Sequence, residues 1–317
     1  MSTPCAPNVI TRPASMDAGR VITFGAQGVL ICRDAATGKK LWQHATHREF
    51  AAQEGYFGAG SSPLVVDGKV LVNVGGTKQE AGLVAFDLAT GATAWQKTGE
   101  PASYSSPIVA SVGNGRTGVV AITRYACVLL DPATGAIGWQ FPFGQRGPTV
   151  NGATPVLCGD GRLLVTASYG IGSVYGSFDA AGFKPIWDGN EALASQYCTP
   201  IYHRQHLYCV DGRDDVPPAV LKCVEAATGK VVWQERLNCY GTLILADEKL
   251  LLAKTDGELV LLSASAEKLS VLARARPLPA TVRALPALSG GRLFLRNDNT
   301  LVAIDVGLVA APPEKRN

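Results

Sequence analysis

Asp34-Ala35-Ala36-Thr37-Gly38-Lys39-Lys40-Leu41-Trp42 holds an acid, a Thr-Gly pair and, eight positions after the acid, a tryptophan. The same spacing returns at Asp87/Thr90/Gly91/Trp95, Asp131/Thr134/Gly135/Trp139 and Glu225/Thr228/Gly229/Trp233, with a worn copy at Asp179/Gly182/Trp187. All five tryptophans of the chain, Trp42, Trp95, Trp139, Trp187 and Trp233, fall in this one slot. A catalytic centre needs one copy of its residues, so a stretch that recurs at this period marks a structural repeat.

Working outward, each copy is preceded by apolar runs separated by turns. Proline-marked starts stand at Ala6-Pro7, Ser62-Pro63, Ser106-Pro107, Thr154-Pro155, Thr199-Pro200 and Leu285-Pro286, with Gly241-Thr242 as a variant without proline. The approximate units are 5–43, 60–97, 104–141, 152–188, 197–235, 240–272 and 284–310. Each reads as four short strands. Asp67-Gly68 between two apolar runs is a hairpin signal, because that turn needs positive φ, and Asp160-Gly161 and Gly290-Gly291 repeat it. The spacing of the tryptophans is close to one four-stranded blade plus variable links. Gly, Pro and β-branched density without a 3.6-residue period excludes helical repeats. The expected fold is all-β: a β-propeller of four-stranded antiparallel blades, seven units in a single domain over 1–317. The sixth unit has Ser263 in place of the acid and Val271 in the tryptophan slot, and the seventh keeps Asp305 but loses its fourth strand in Gly307 to Pro313. The tail from Glu314 to Asn317 reads as frayed.

A formal charge of +3, with no Lys/Arg stripe, predicts no nucleic-acid partner. Eight cysteines without CxxC or CxxCH spacing read as core thiols, and Cys32 and Cys223 occupy the same place in their repeats, two residues before the acid. No apolar run reaches transmembrane length and Met1 to Arg20 lacks the layout of a signal peptide. Taken alone, this predicts a cytoplasmic protein or one whose leader lies outside this chain.

Ala85-Phe86-Asp87-Leu88-Ala89-Thr90-Gly91-Ala92-Thr93-Ala94-Trp95 resembles the tryptophan-docking motif of PQQ-like (pyrrolo-quinoline quinone repeat) β-propellers, and the resemblance covers nearly the whole chain. Within that superfamily it is most similar to the bacterial exported propellers grouped with BamB, the outer-membrane-assembly scaffold, and to planctomycete-type PQQ-repeat proteins. The motif is specific for fold and poorly specific for function. The resemblance implies usually eight blades, a periplasmic or cell-envelope address and a protein or peptide partner held by a monomeric, non-catalytic scaffold. Its enzymatic branch, the quinoprotein dehydrogenases, implies PQQ, calcium held by Glu and Asn, a catalytic Asp and often a vicinal disulfide. This chain has no adjacent cysteines and no tryptophan outside the repeat slot, so neither PQQ with calcium nor another cofactor is expected. A quinoprotein oxidoreductase with a divergent site is the first alternative function, and a carbohydrate or small-ligand sensor the second.

Loop lengths point to one face. The links inside the first hairpins and the Thr-Gly turns are tight, whereas His44 to Gly60, Gly75 to Gly82, Phe141 to Gly152, Tyr169 to Gly176, Asp188 to Tyr197 and Asp211 to Ala219 are long and emerge on the opposite side. There, the starts of the innermost strands would bring Ser61, Tyr104, Ser105, Asn151, Gln196, Tyr197, Tyr240 and Arg283 around the channel mouth, with His47, Arg48 and Arg146 from nearby loops. This set suits a polar or anionic ligand or a peptide, although a propeller mouth is polar without any ligand. His203 and His206 on one strand would point to opposite faces, so no shared metal is expected. Asp211-Gly212-Arg213-Asp214-Asp215 lacks the alternating oxygens of a calcium loop, and Ser-Ser-Pro at Ser61 and Ser105 is no nucleophile elbow.

Overall fold

Tight first hairpins set the architecture. Asp67 and Gly68 take φ +47° and +68°, joining Leu64–Val66 to Lys69–Gly76, and Ala18-Gly19, Arg204-Gln205, Asp247-Glu248 and Gly290-Gly291 repeat the left-handed pair. In the computed structural model, which describes residues 15–159 and 161–307, these hairpins open seven antiparallel sheets arranged as the blades of a propeller. Six sheets have four strands in sequence order, and the seventh, Ala287–Ser289, Arg292–Arg296 and Leu301–Asp305, has three among the described residues. Cys5, Ala6-Pro7 and the start of the first unit, Asp160, and the chain from Leu308 onward lie outside the described residues.

Burial follows from blade stacking. In blade 2 the two middle strands, Lys69–Gly76 and Ala81–Asp87, are buried on both faces, whereas the outer strand Thr93–Lys97 is mostly accessible. Apolar side chains of consecutive blades merge: Ile22, Leu30 and Cys32 of blade 1 meet Val70, Val84 and Phe86 of blade 2, and Leu71, Leu83 and Trp95 of blade 2 meet Val119, Val128 and Leu130 of blade 3. Leu293 and Leu295 tie blade 7 to Leu251 and Ala253 of blade 6. The first and third strands of blade 7 are largely exposed, and Leu301 is 70% accessible.

The repeated turn is built as its residue types dictate. Asp87 Oδ1 accepts hydrogen bonds from the Thr90 N–H at 2.8 Å and the Thr90 hydroxyl at 2.7 Å, and Asp34 and Asp131 do the same for Thr37 and Thr134. The tryptophans reach forward. Trp42 Nε1–H donates to Leu88 O at 3.0 Å, Trp95 to Pro132 O at 3.0 Å, Trp139 to Asp179 O at 2.9 Å, Trp187 to Ala226 O at 2.8 Å and Trp233 to Ser265 O at 3.1 Å. Each acceptor lies in the turn of the next blade.

Opposite the tryptophans stand Cys32, Ala85, Leu129, Tyr175 and Cys223, and one step beyond each pair the ladder slips by one residue. This bulge gives the outer strand an extra residue, Leu41, Ala94, Gly138, Ile186 or Val232, and twists the strand locally. In blade 6 the register corrects the expectation for Val271. Leu261 pairs with Ala273, so Ala273 takes the tryptophan position, and Val271 pairs with Leu262. The link between Ser263 and Ser270 is longer than the Asp-Thr-Gly turn, which moves the slot along the strand.

Candidate functional site

The links between blades gather on the face opposite the Thr-Gly turns and enclose a cavity of about 780 Å³. One wall is aromatic. After the short helix Thr46–Glu49, the chain from Gln53 to Ala59 presents Tyr56 and Phe57 to the cavity, and Tyr56 is 87% exposed. The Phe57 ring meets Tyr56 edge-on at 4.8 Å and Tyr104 at 5.7 Å, and the Phe57 N–H donates to the Tyr104 hydroxyl at 3.1 Å. His47 lines the same wall, and burial pushes its imidazole pKa down against the opposing pull of Glu54.

The base joins three segments. Tyr104 N–H, just ahead of the first strand of blade 3, donates to Asn151 O at 3.0 Å, just ahead of blade 4. Asn151 Nδ2 donates to Thr123 O and Arg124 O, both at 3.1 Å, in the link between the middle strands of blade 3. These bonds fix which end of the amide is nitrogen, because only Nδ2 can donate to carbonyls. Asn151 is 1% exposed, and its Oδ1 has no hydrogen-bond partner among the described residues. Arg124 reaches into the cavity with its Nη2 on Gly147 O at 2.7 Å and its guanidinium 5.5 Å from the Tyr125 ring. No carboxylate pairs with Arg124 among the described residues.

The far wall is neutralised internally. Arg213 lies 4.2 Å over the Tyr169 ring and holds Asp215 through two hydrogen bonds, which lower the Asp215 pKa. Gln196 Nε2 donates to the Tyr169 hydroxyl at 2.6 Å, while its Oε1 accepts the Asp214 N–H at 2.8 Å. Asp214 accepts Arg283 Nε at 2.7 Å, a link between blade 5 and the approach to blade 7.

The family model described as outer membrane protein assembly factor BamB matches residues 5–235 and 217–307. The chain belongs to the BamB family. BamB from Moraxella catarrhalis has the same fold, with a TM-score of 0.67 at 16% identity over 92% of this chain and 80% of that one. A europium-containing methanol dehydrogenase matches at TM-score 0.60 and 15% identity, over 90% of this chain and 72% of that chain. In sequence, a quinohemoprotein alcohol dehydrogenase of Comamonas testosteroni is 31% identical over 102 residues, 32% of this chain and 14% of the dehydrogenase. The chain thus spans a small part of that relative's length. BamB-family membership and the dehydrogenase matches agree on the propeller and leave scaffold and oxidoreductase as separate readings.

Of the residues singled out in sequence, Tyr104, Asn151 and His47 line the cavity, while Gln196 supports its far wall. Ser61 and Ser105 are buried between blades, and Ser105 N–H bonds to Ser103 Oγ at 3.1 Å. The Tyr197 and Tyr240 rings meet at 4.6 Å with their planes tilted by 55°, and the Tyr240 hydroxyl meets Ser195 Oγ at 2.8 Å and the Tyr197 and Cys198 N–H groups, inside the core. Arg283 is paired with Asp214, and Arg48 and Arg146 are exposed and do not line the cavity. Arg124, Tyr169, Phe57, Arg213 and Asp215 also line it without having been singled out individually as binding residues. A signal for Arg124 was available: it is a lone charge in the short link between the apolar runs Thr117–Ile122 and Ala126–Leu130.

The geometry of His203 and His206 differs from expectation. They do not share a strand; the Arg204-Gln205 turn makes them direct cross-strand partners. His203 Nε2 meets Glu248 Oε2 at 2.9 Å and His206 Nδ1 meets Arg204 O at 2.8 Å. No Asn-Gly or Asp-Gly pair marked that hairpin, so the turn was hidden among ordinary residues.

Proposed function

We propose that this BamB-family propeller is a non-catalytic scaffold that takes a peptide segment of a partner protein into the cavity on its long-link face. The observation that carries this reading is the aromatic wall of Tyr56, Phe57 and Tyr104 around a cavity of about 780 Å³. Exposed aromatic side chains on a rigid frame supply contact area at low entropic cost, the pattern of residues that anchor protein interfaces. Family membership supports a cell-envelope address and a protein partner, and the indoles act as docking residues between blades. No described helix is long and apolar enough to cross a membrane. The test is an array of octapeptides probed with the purified protein and with a Tyr56→Ala/Phe57→Ala variant. The scaffold reading expects peptide binding that the double substitution weakens at least tenfold; equal binding by both proteins would remove the cavity from the account.

A quinoprotein reading is favoured by the dehydrogenase similarity over 102 residues. The donor set does not fit it: Asp215 is engaged by Arg213, and no tryptophan lines the cavity. Dye reduction on adding PQQ and calcium to the protein would reinstate the enzyme.

A further inference from the structure

Two groups at the cavity base are left with complementary needs. Asn151 Oδ1 is a buried acceptor without a donor among the described residues, and its own amide nitrogen is committed to carbonyls. An unmet buried acceptor costs free energy that a ligand N–H would recover. In the lining of the same cavity, Arg124 presents a guanidinium tethered through one nitrogen to Gly147 O, leaving donors for an incoming anion. Asn151 Nδ2 bonds the Arg124 main-chain carbonyl, and both residues line the same cavity. The other cavity-lining arginine, Arg213, is already paired with Asp215.

We propose that this spot is a carboxylate anchor, in which Arg124 receives a carboxylate of a bound peptide and Asn151 Oδ1 receives an adjacent N–H. The proposal rests on the peptide-binding reading above and adds the chemistry of the peptide. A guanidinium holds a carboxylate with paired N–H donors in a planar fork that matches the two carboxylate oxygens. The carboxylate comes from an Asp or Glu side chain or from a free C-terminus.

A randomised octapeptide array decides between these sources when each sequence is printed both as the C-terminal amide and as the free acid. Bound sequences should be enriched in Asp or Glu, or should require the free acid. For the tightest of them, Arg124→Gln should weaken binding roughly tenfold or more, Arg124→Lys should restore part of the loss, and Arg146→Gln should change nothing. Binding should also fall as salt rises. Equal melting midpoints for these variants establish that the fold is intact; if R124Q melts early, R124K carries the comparison, and a loss of binding equal to that of R124Q then counts against the anchor. Selected peptides without carboxylate preference, or with affinity unmoved by R124Q, would overturn the anchor while leaving peptide binding in place. No binding of any octapeptide would overturn both readings. Direct binding of polygalacturonate that is lost in R124Q, without peptide binding, would assign the spot to an acidic sugar instead.

Discussion

At the scale of single residues, the Thr-Gly turn answers to two masters, its own strand pair and the blade before it. Gly91 takes φ +79°, and a Cβ there would stand 2.8 Å from the Trp42 ring; at Gly38, with φ +71°, nothing among the described residues lies within 4 Å. Gly38→Ala should therefore cost only the left-handed backbone term, about 1 to 2 kcal/mol. Gly91→Ala should cost that and an overpacking term of about 1 to 3 kcal/mol more. Urea unfolding of the two variants measures the difference, and equal costs would show that the indole does not constrain the glycine. His47 makes a second residue-scale case. Burial lowers its folded pKa, so the unfolded chain binds the proton more readily, and stability falls as pH drops from about 6.5 toward the folded value, levelling off below it. An NMR titration should give His47 a midpoint below 6.5, and His47→Asn should flatten the decline of melting temperature between pH 7 and pH 5.

At the scale of elements, the outer strand of each of the first five blades carries the tryptophan that bonds into the following turn. Trp95 is 8% exposed, and Trp95→Ala should cost about 3 to 5 kcal/mol in denaturant unfolding. Trp95→Phe keeps most of the apolar contact and loses the bond to Pro132 O, so its cost should be nearer 1 kcal/mol. These strands were legible because acid, threonine, glycine and tryptophan each have a local job whose spacing repeats. Ala273 was not legible, because the extra length between Ser263 and Ser270 leaves no mark in residue type, and register depends on cross-strand pairing that only the folded sheet supplies. The bulge was equally silent, since Leu41, Ala94 and Gly138 share no chemistry.

For the whole molecule, stability is a sum over neighbouring blades, as in any repeat array. Blade 7 contributes three described strands with two of them largely exposed, so its amides should exchange with solvent before those of blades 2 to 5. Hydrogen exchange read by mass spectrometry checks this, and uniform protection around the ring would contradict it. The cavity was only partly readable for the same reason that the ring was readable. Tyr104 and Asn151 sit at a position that recurs from unit to unit, whereas Arg124, Tyr169 and Arg213 come from links with no common spacing, and their convergence is a property of the folded frame.

The forward reach of the indoles also has a direction in time. Trp42 bonds to Leu88 O and Trp233 to Ser265 O, so a blade is completed by chain that is synthesised after it. During translation, each of the first five sheets would hold its tryptophan uncovered until the next turn emerges, about one blade later. In blades 1 to 5 every indole thus depends on a turn that lies downstream of it in the chain.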